Sequence, residues 1–300
     1  MTMMTQKQIT TWEQRAFTRL RLLALPGVVV LLFSEQTPWV FMCLLAISVY
    51  LTLKLLTFVD CREARNASPM RSMGYLLLWP GMDAGAFFAS TKEVDLPRKS
   101  EWALALIETT LGVLTVTVFA PLVFVYDPYL AGMIGFAGIV LLLHFGLFHV
   151  LSLLWRRAGV DARPIMNAPL LASSLGEFWG RRWNVAFRDV THAYVFRPLV
   201  RRIGATGATM AAFLASGLVH DLVISLPARG GWGLPTLYFL GQGCGVLFER
   251  SRLGKWIGLG RGIAGRLYCG VVTVAAIPLL FHEPFIGRII DPMLTVITSL

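Results

Sequence analysis

The run Ser174-Leu175-Gly176-Glu177-Phe178-Trp179-Gly180-Arg181-Arg182-Trp183-Asn184, polar and aromatic, is set between two long apolar blocks. It is answered further along by Ser216-Gly217-Leu218-Val219-His220-Asp221, where a single histidine interrupts an apolar stretch. Leu175, Phe178, Trp179, Trp183, Ala186, Phe187, Val190 and Tyr194 recur at steps of three and four, the period of one helix face. Glu177, Arg181, Asn184 and Arg188 fall on the opposite side. The spacing predicts one amphipathic helix lying in the membrane interface, with Asn184 on its polar face.

Composition sets the class. Of 300 residues 56% are hydrophobic and only 15% are charged, where an ordinary soluble domain carries about 25%. The reading is an all-α, polytopic integral membrane bundle, a single domain over 1–300, with seven or eight crossings plus re-entrant or interfacial segments. The formal net charge of +10 does not point to nucleic acid, because the basic residues form short clusters between apolar runs. Cys43, Cys61, Cys244 and Cys269 show no Cys-x-x-Cys spacing, so neither a metal nor a redox centre is expected. No removable leader is recognised in the first twenty residues.

Along the chain, residues 1–21 read as an interfacial segment anchored by Trp12 and Phe17, followed by a short apolar block over 22–33. Spans are predicted over 39–59, 102–126, 129–155, 203–226, 234–248 and 267–281, with an apolar tail over 285–300. The stretch 73–88 is interrupted by Pro80, Gly81 and Gly85 and flanked by basic residues on both sides. It reads as re-entrant, since a full crossing would place one basic cluster outside. Of the 27 Lys and Arg residues, 24 lie in the four segments 1–21, 60–99, 155–204 and 250–266, which implies a cytoplasmic N-terminus and puts these segments on the cytoplasmic side.

The two motifs resemble the wax-synthase-like branch of the membrane-bound O-acyltransferase family, in which a Glu-Phe-Trp run leads to an asparagine and a later membrane helix supplies a histidine. Trp79-Pro80-Gly81-Met82-Asp83 adds a looser likeness. The resemblance implies acyl transfer from acyl-CoA, as co-substrate and without a further cofactor, to the hydroxyl of a lipid, long-chain alcohol or terpenoid-like acceptor among membrane lipids. It gives His220 the part of general base and Asn184 that of positioning or oxyanion donor. Glu177, Trp179, Arg181, Arg182, Trp183, Asp83 and Ser216 are the candidate substrate-binding residues.

The residues themselves carry part of this. Gly204, Ala208, Ala212, Ser216 and His220 recur every four residues, so the small-residue stripe that ends in His220 faces other helices. An ionisable group there is a functional candidate, and burial disfavours its charged form. Arg181 and Arg182 fit the phosphates of an anionic donor, anionic lipid, or a pairing of Arg181 with Glu177 at four-residue spacing. Trp179 and Trp183 also suit an interfacial belt. His144 and His149, five apart, do not share a helix face as a metal pair would. Gly260-Arg261-Gly262-Ile263-Ala264-Gly265 matches a dinucleotide fingerprint letter by letter, but no strand precedes it. Two other classes share these features: an isomerase or cyclase using buried acids and His220 without an acyl donor, and a small lipid transporter.

Overall fold

A computed structural model describes residues 21–89 and 93–298, and every regular element among them is helical. The predicted interfacial segment with Trp12 and Phe17, like Lys92 in the basic flank, lies outside the described residues. The principal helices are α1 (Leu25–Phe33), α2 (Pro38–Asp60), α3 (Pro69–Leu78), α4 (Ala84–Phe88), α5 (Lys99–Phe124) and α6 (Pro128–Arg157). A continuous helical stretch, Val185–Ala228, is divided at Gly204 into α7 (185–203) and α8 (205–228). Then follow α9 (Leu234–Arg250) and α10 (Gly262–Leu280). Five stretches are long and apolar enough to cross a membrane: α2, α5, α6, the α7–α8 stretch and α10. Leu106, Ile107, Leu111, Leu114 and Leu122 lie exposed along α5, an apolar face suited to lipid rather than water.

The interrupted segment 73–88 is two short helices, α3 and α4, joined by an extended passage through Trp79–Asp83. Such backbone survives in an apolar setting only where other groups take its hydrogen bonds. Here side chains do so. Trp155 Nε1 donates to Leu78 O at 3.1 Å, Tyr50 Oη donates to Trp79 O at 3.1 Å, and Lys54 Nζ donates to Gly81 O. Lys54 is fully buried on α2, with its Nζ 3.4 Å from the centre of the Tyr75 ring. Met82, next in line, packs against Ala186 and Val190 of α7.

Hydrogen bonds and close contacts gather the connections at two ends. At one end Arg156 donates to Asp95 O at 2.8 Å, Glu249 takes the backbone N–H of Leu175 at 2.6 Å, and Gly265 abuts the Ser173 carbonyl. At the other, Arg229 donates to Ser34 O at 3.1 Å, Arg288 to Ala228 O at 3.0 Å and Tyr129 to Phe281 O at 3.3 Å. The dinucleotide-like glycines find their use at the first end. Gly260 and Gly262 have φ of +87° and +58°, and Gly265 leaves no room for a side chain beside Ser173.

Candidate active site

The expected single helix over 175–194 is not formed. Leu175–Glu177 is one α-turn, Phe178–Arg182 is a π-turn, and the chain then breaks at Asn184, whose φ of 39° and ψ of 61° are left-handed. Asparagine tolerates this region because its short amide bonds locally. The Asn184 Oδ1 accepts Phe187 N–H at 3.2 Å and so starts α7. Tyr194, ten residues on, bonds Asp60 at the end of α2 at 2.8 Å. Met82, Tyr50 and Leu53 cluster with Ala186 and Val190 of α7.

At Gly204, with φ of 72° and ψ of 174°, the helix turns back. α7 and α8 are therefore two arms of a hairpin, and a cavity of about 410 Å³ lies between them. Asn184, Phe187 and Arg188 line it from one arm, and Ala212, Ser216 and His220 from the other. Trp179 and Trp183 of the signature run and Phe239 and Arg250 of α9 add to its wall.

His220 sits between two rings, 4.4 Å from Phe239 and 6.3 Å from Phe187 by centroids. Its Nδ1 is 2.7 Å from Ser216 O. A carbonyl only accepts, so the hydrogen is on Nδ1 and a neutral ring keeps its lone pair on Nε2. Asn184 is the complement. Its Oδ1 is used by Phe187 N–H, which leaves the Nδ2 hydrogens without a protein partner among the described residues. One group accepts a proton and the other donates hydrogen bonds.

The remaining candidates divide. Trp179 lines the cavity and is fixed by Nε1 donating to Gln242 at 3.1 Å; Trp183 lines it and stacks on Phe178 at 5.4 Å. Ser216 lines it too, with its hydroxyl returned to Ala212 O at 3.0 Å. Glu177 and Arg182 form a brace beside it. Arg182 donates to Glu177 at 2.7 Å and to the carbonyls of Asn167 and Ala168 at 3.2 and 3.1 Å. Glu177 also accepts Ser173 N–H and hydroxyl at 2.8 and 2.7 Å. Arg181 faces a second, larger cleft. Asp83 lines neither space; exposed, it caps α4 by accepting Ala86 N–H at 2.9 Å.

Asp221 adjoins His220 but serves α9. Its carboxylate takes Gly233 N–H at 2.8 Å, Thr236 N–H at 3.1 Å and the Thr236 hydroxyl, which are donors at the start of that helix. Sequence reading missed Phe187, Arg188, Phe239 and Arg250 as cavity residues. Arg188 carried a signal, being one turn beyond Asn184; Phe239 and Arg250 come from a helix whose approach no local pattern records.

Residues 162–240, the interval holding both Asn184 and His220, match the Membrane bound O-acyl transferase family. Over 129 residues the chain is 33% identical to the Long-chain-alcohol O-fatty-acyltransferase of Simmondsia chinensis, covering 39% of this chain and 36% of that protein. It is 35% identical over 150 residues to the Probable long-chain-alcohol O-fatty-acyltransferase 1 of Arabidopsis thaliana, covering 43% and 44%. It is also 26% identical over 109 residues to the Acyl-CoA–sterol O-acyltransferase 1 of Arabidopsis thaliana, covering 32% of each. The chain thus spans less than half the length of the curated relatives it matches.

Proposed function

We propose, from the chain's place in the membrane bound O-acyl transferase family and its wax-synthase-like branch, that it transfers an acyl group from acyl-CoA to the hydroxyl of a long-chain alcohol or similar lipid. The observation that supports this most is the pairing of a free imidazole lone pair with a free amide donor in one cavity. In this reading His220 Nε2 takes the hydroxyl proton as the alcohol oxygen attacks the thioester carbonyl. Asn184 Nδ2 donates to the oxyanion that forms. Collapse breaks the C–S bond, and the leaving thiolate recovers the proton from His220. No cofactor is needed beyond the co-substrate. The phosphates of the donor are assigned to Arg188 and Arg250, which line the cavity, rather than to the braced Arg182.

The orientation proposed is a cytoplasmic N-terminus, with the end that holds 95, 157 and 249–265 facing the cytoplasm. The basic clusters support it. An anionic, water-soluble donor then approaches from the side on which those clusters lie.

The test is ester formation from a long-chain acyl-CoA and a panel of long-chain alcohols, on protein that runs as a single gel-filtration peak. His220→Ala is expected to lower turnover 10²–10⁴-fold, the usual worth of a general base. Asn184→Asp keeps the capping oxygen and the tolerance for left-handed backbone while removing the donor, and is expected to cost about 10²–10³-fold. Near-normal turnover in His220→Ala would sink the mechanism.

A further inference from the structure

The second cleft, about 1400 Å³, lies between α5, α6 and the 161–171 loop, and the mechanism above makes no use of it. We propose that it is a docking site in which a long-chain alcohol is held by its hydroxyl before it reaches the His220 cavity. The inference rests on the acceptor class proposed above.

Two titratable groups from two membrane helices meet in this cleft. His149 Nδ1 of α6 is 3.4 Å from Glu108 Oε2 of α5, and both side chains are largely buried, 13% and 19% exposed. Ionisable pairs within apolar helices are costly and mark ligand paths more often than mere packing. The contact uses one polar atom of each partner. His149 Nε2 and Glu108 Oε1 remain, with no hydrogen-bond partner among the described residues. With one hydrogen shared in that contact, whichever atom carries it, Nε2–H is a donor and Oε1 an acceptor, side by side.

A hydroxyl both donates and accepts, so a single alcohol oxygen satisfies the two atoms together. A fatty carboxylate would set a second negative charge beside Glu108, and a quaternary ammonium has no hydrogen to donate. Of the other charges in the cleft, Arg156 binds Glu101, Arg163 binds Asp161 at 3.0 Å and Arg188 binds Asp189 at 3.0 Å, while Glu93, Asp95 and Arg181 line it as well. Leu104 and Phe145 give the cleft its apolar wall, and Leu106 and Ile107, beside Glu108 in sequence, are exposed on the lipid-facing side of α5.

The cleft adjoins the reaction cavity. Arg188 lines both spaces, and Phe145 of the cleft meets Trp183 of the cavity edge-on at 6.2 Å. A chain anchored at Glu108 and His149 therefore lies one aromatic contact away from Asn184 and His220.

The experiment uses the full chain in lipid nanodiscs with a diazirine-bearing long-chain alcohol, its methyl ether and the matching carboxylic acid. Crosslinks are expected in peptides from 99–114 and 144–157, competed by unlabelled hexadecanol, with about tenfold less labelling by the ether and the acid. Glu108→Gln and His149→Gln should each weaken labelling and raise the KM for alcohol about tenfold, with kcat and the KM for acyl-CoA little changed. Glu108→Asp should recover part of the loss, which a folding defect would not. His220→Ala should label like the wild type. Equal labelling by the ether, or an unchanged alcohol KM in Glu108→Gln, overturns the assignment. Ester formation without cleft labelling removes the docking site and leaves the acyltransferase reading intact. Cleft labelling by alcohol with no ester under any condition does the reverse.

Discussion

Glu177 and Arg182 are five residues apart, a separation that puts them about 140° apart around an α-helix and in line across a π-turn. The Phe178–Arg182 π-turn is what joins them, in place of the four-residue pairing of Glu177 with Arg181 that helical spacing suggests. The Ser173 N–H and hydroxyl, and then Arg182, hold the Glu177 carboxyl at about 2, well below its ordinary range. A carboxyl depressed in the folded state stabilises the fold above its unfolded value of about 4.3, and that contribution is lost as pH falls through the folded value. Wild type is therefore expected to exceed Glu177→Gln in thermal midpoint at pH 6, with the gap closing between about pH 4 and pH 2. A gap that stays constant with pH would show that the charge of Glu177 does not carry the brace. The same passage shows what sequence leaves unread. The apolar positions 175, 178, 179, 183, 186, 187, 190 and 194 keep their period straight through Asn184. Periodicity counts positions and is blind to one left-handed residue, so the motif was legible and its break was not.

At the scale of elements, the spans over 39–59, 102–126 and 129–155 were legible because length and apolarity alone decide them, and they correspond to Pro38–Asp60, Lys99–Phe124 and Pro128–Arg157. The inward face of α8 was legible as well: Ala212, Ser216 and His220, on the small-residue stripe, all line the cavity. The hairpin was not, because its turn rests on one glycine in a basic stretch rather than on a loop with its own composition. Gly204 has φ of 72° and ψ of 174°, a conformation nearly confined to glycine, and there is open space where a Cβ would stand. Gly204→Ala thus meets no neighbour, and its cost is backbone strain alone, about 1–3 kcal/mol. The expected outcome is a lower thermal midpoint together with altered turnover, because the angle between α7 and α8 sets the width of the cavity. An unchanged midpoint would mean that the turn is held elsewhere.

For the whole molecule, the basic clusters and the hydrogen bonds between connections describe the same two-ended body. Asp95 lies at the end marked by Arg156, and Trp232, exposed, follows Arg229 at the other. In a cysteine-free background, Trp232→Cys is expected to react with an impermeant maleimide in intact cells, and Asp95→Cys only after permeabilisation. The opposite pattern would invert the orientation, and outside reaction at both sites would contradict the two-ended arrangement. Charge counting addresses orientation from sequence because the bias is a matter of totals, and the labelling decides it. Which side chains reach across the bundle depends on single contacts between distant segments, and no total contains them.

One such contact bears on how the protein is made. The Leu78 carbonyl is satisfied by Trp155, 77 residues downstream, whereas those of Trp79 and Gly81 are served by Tyr50 and Lys54, already synthesised. The passage between α3 and α4 therefore leaves the ribosome well before its last donor exists. It must wait, partly unsatisfied, until the end of α6 has been translated, so its final seating belongs to a late stage of biogenesis rather than to its own insertion. Chains arrested near residue 150 should show this segment open to protease, and completed chains should protect it.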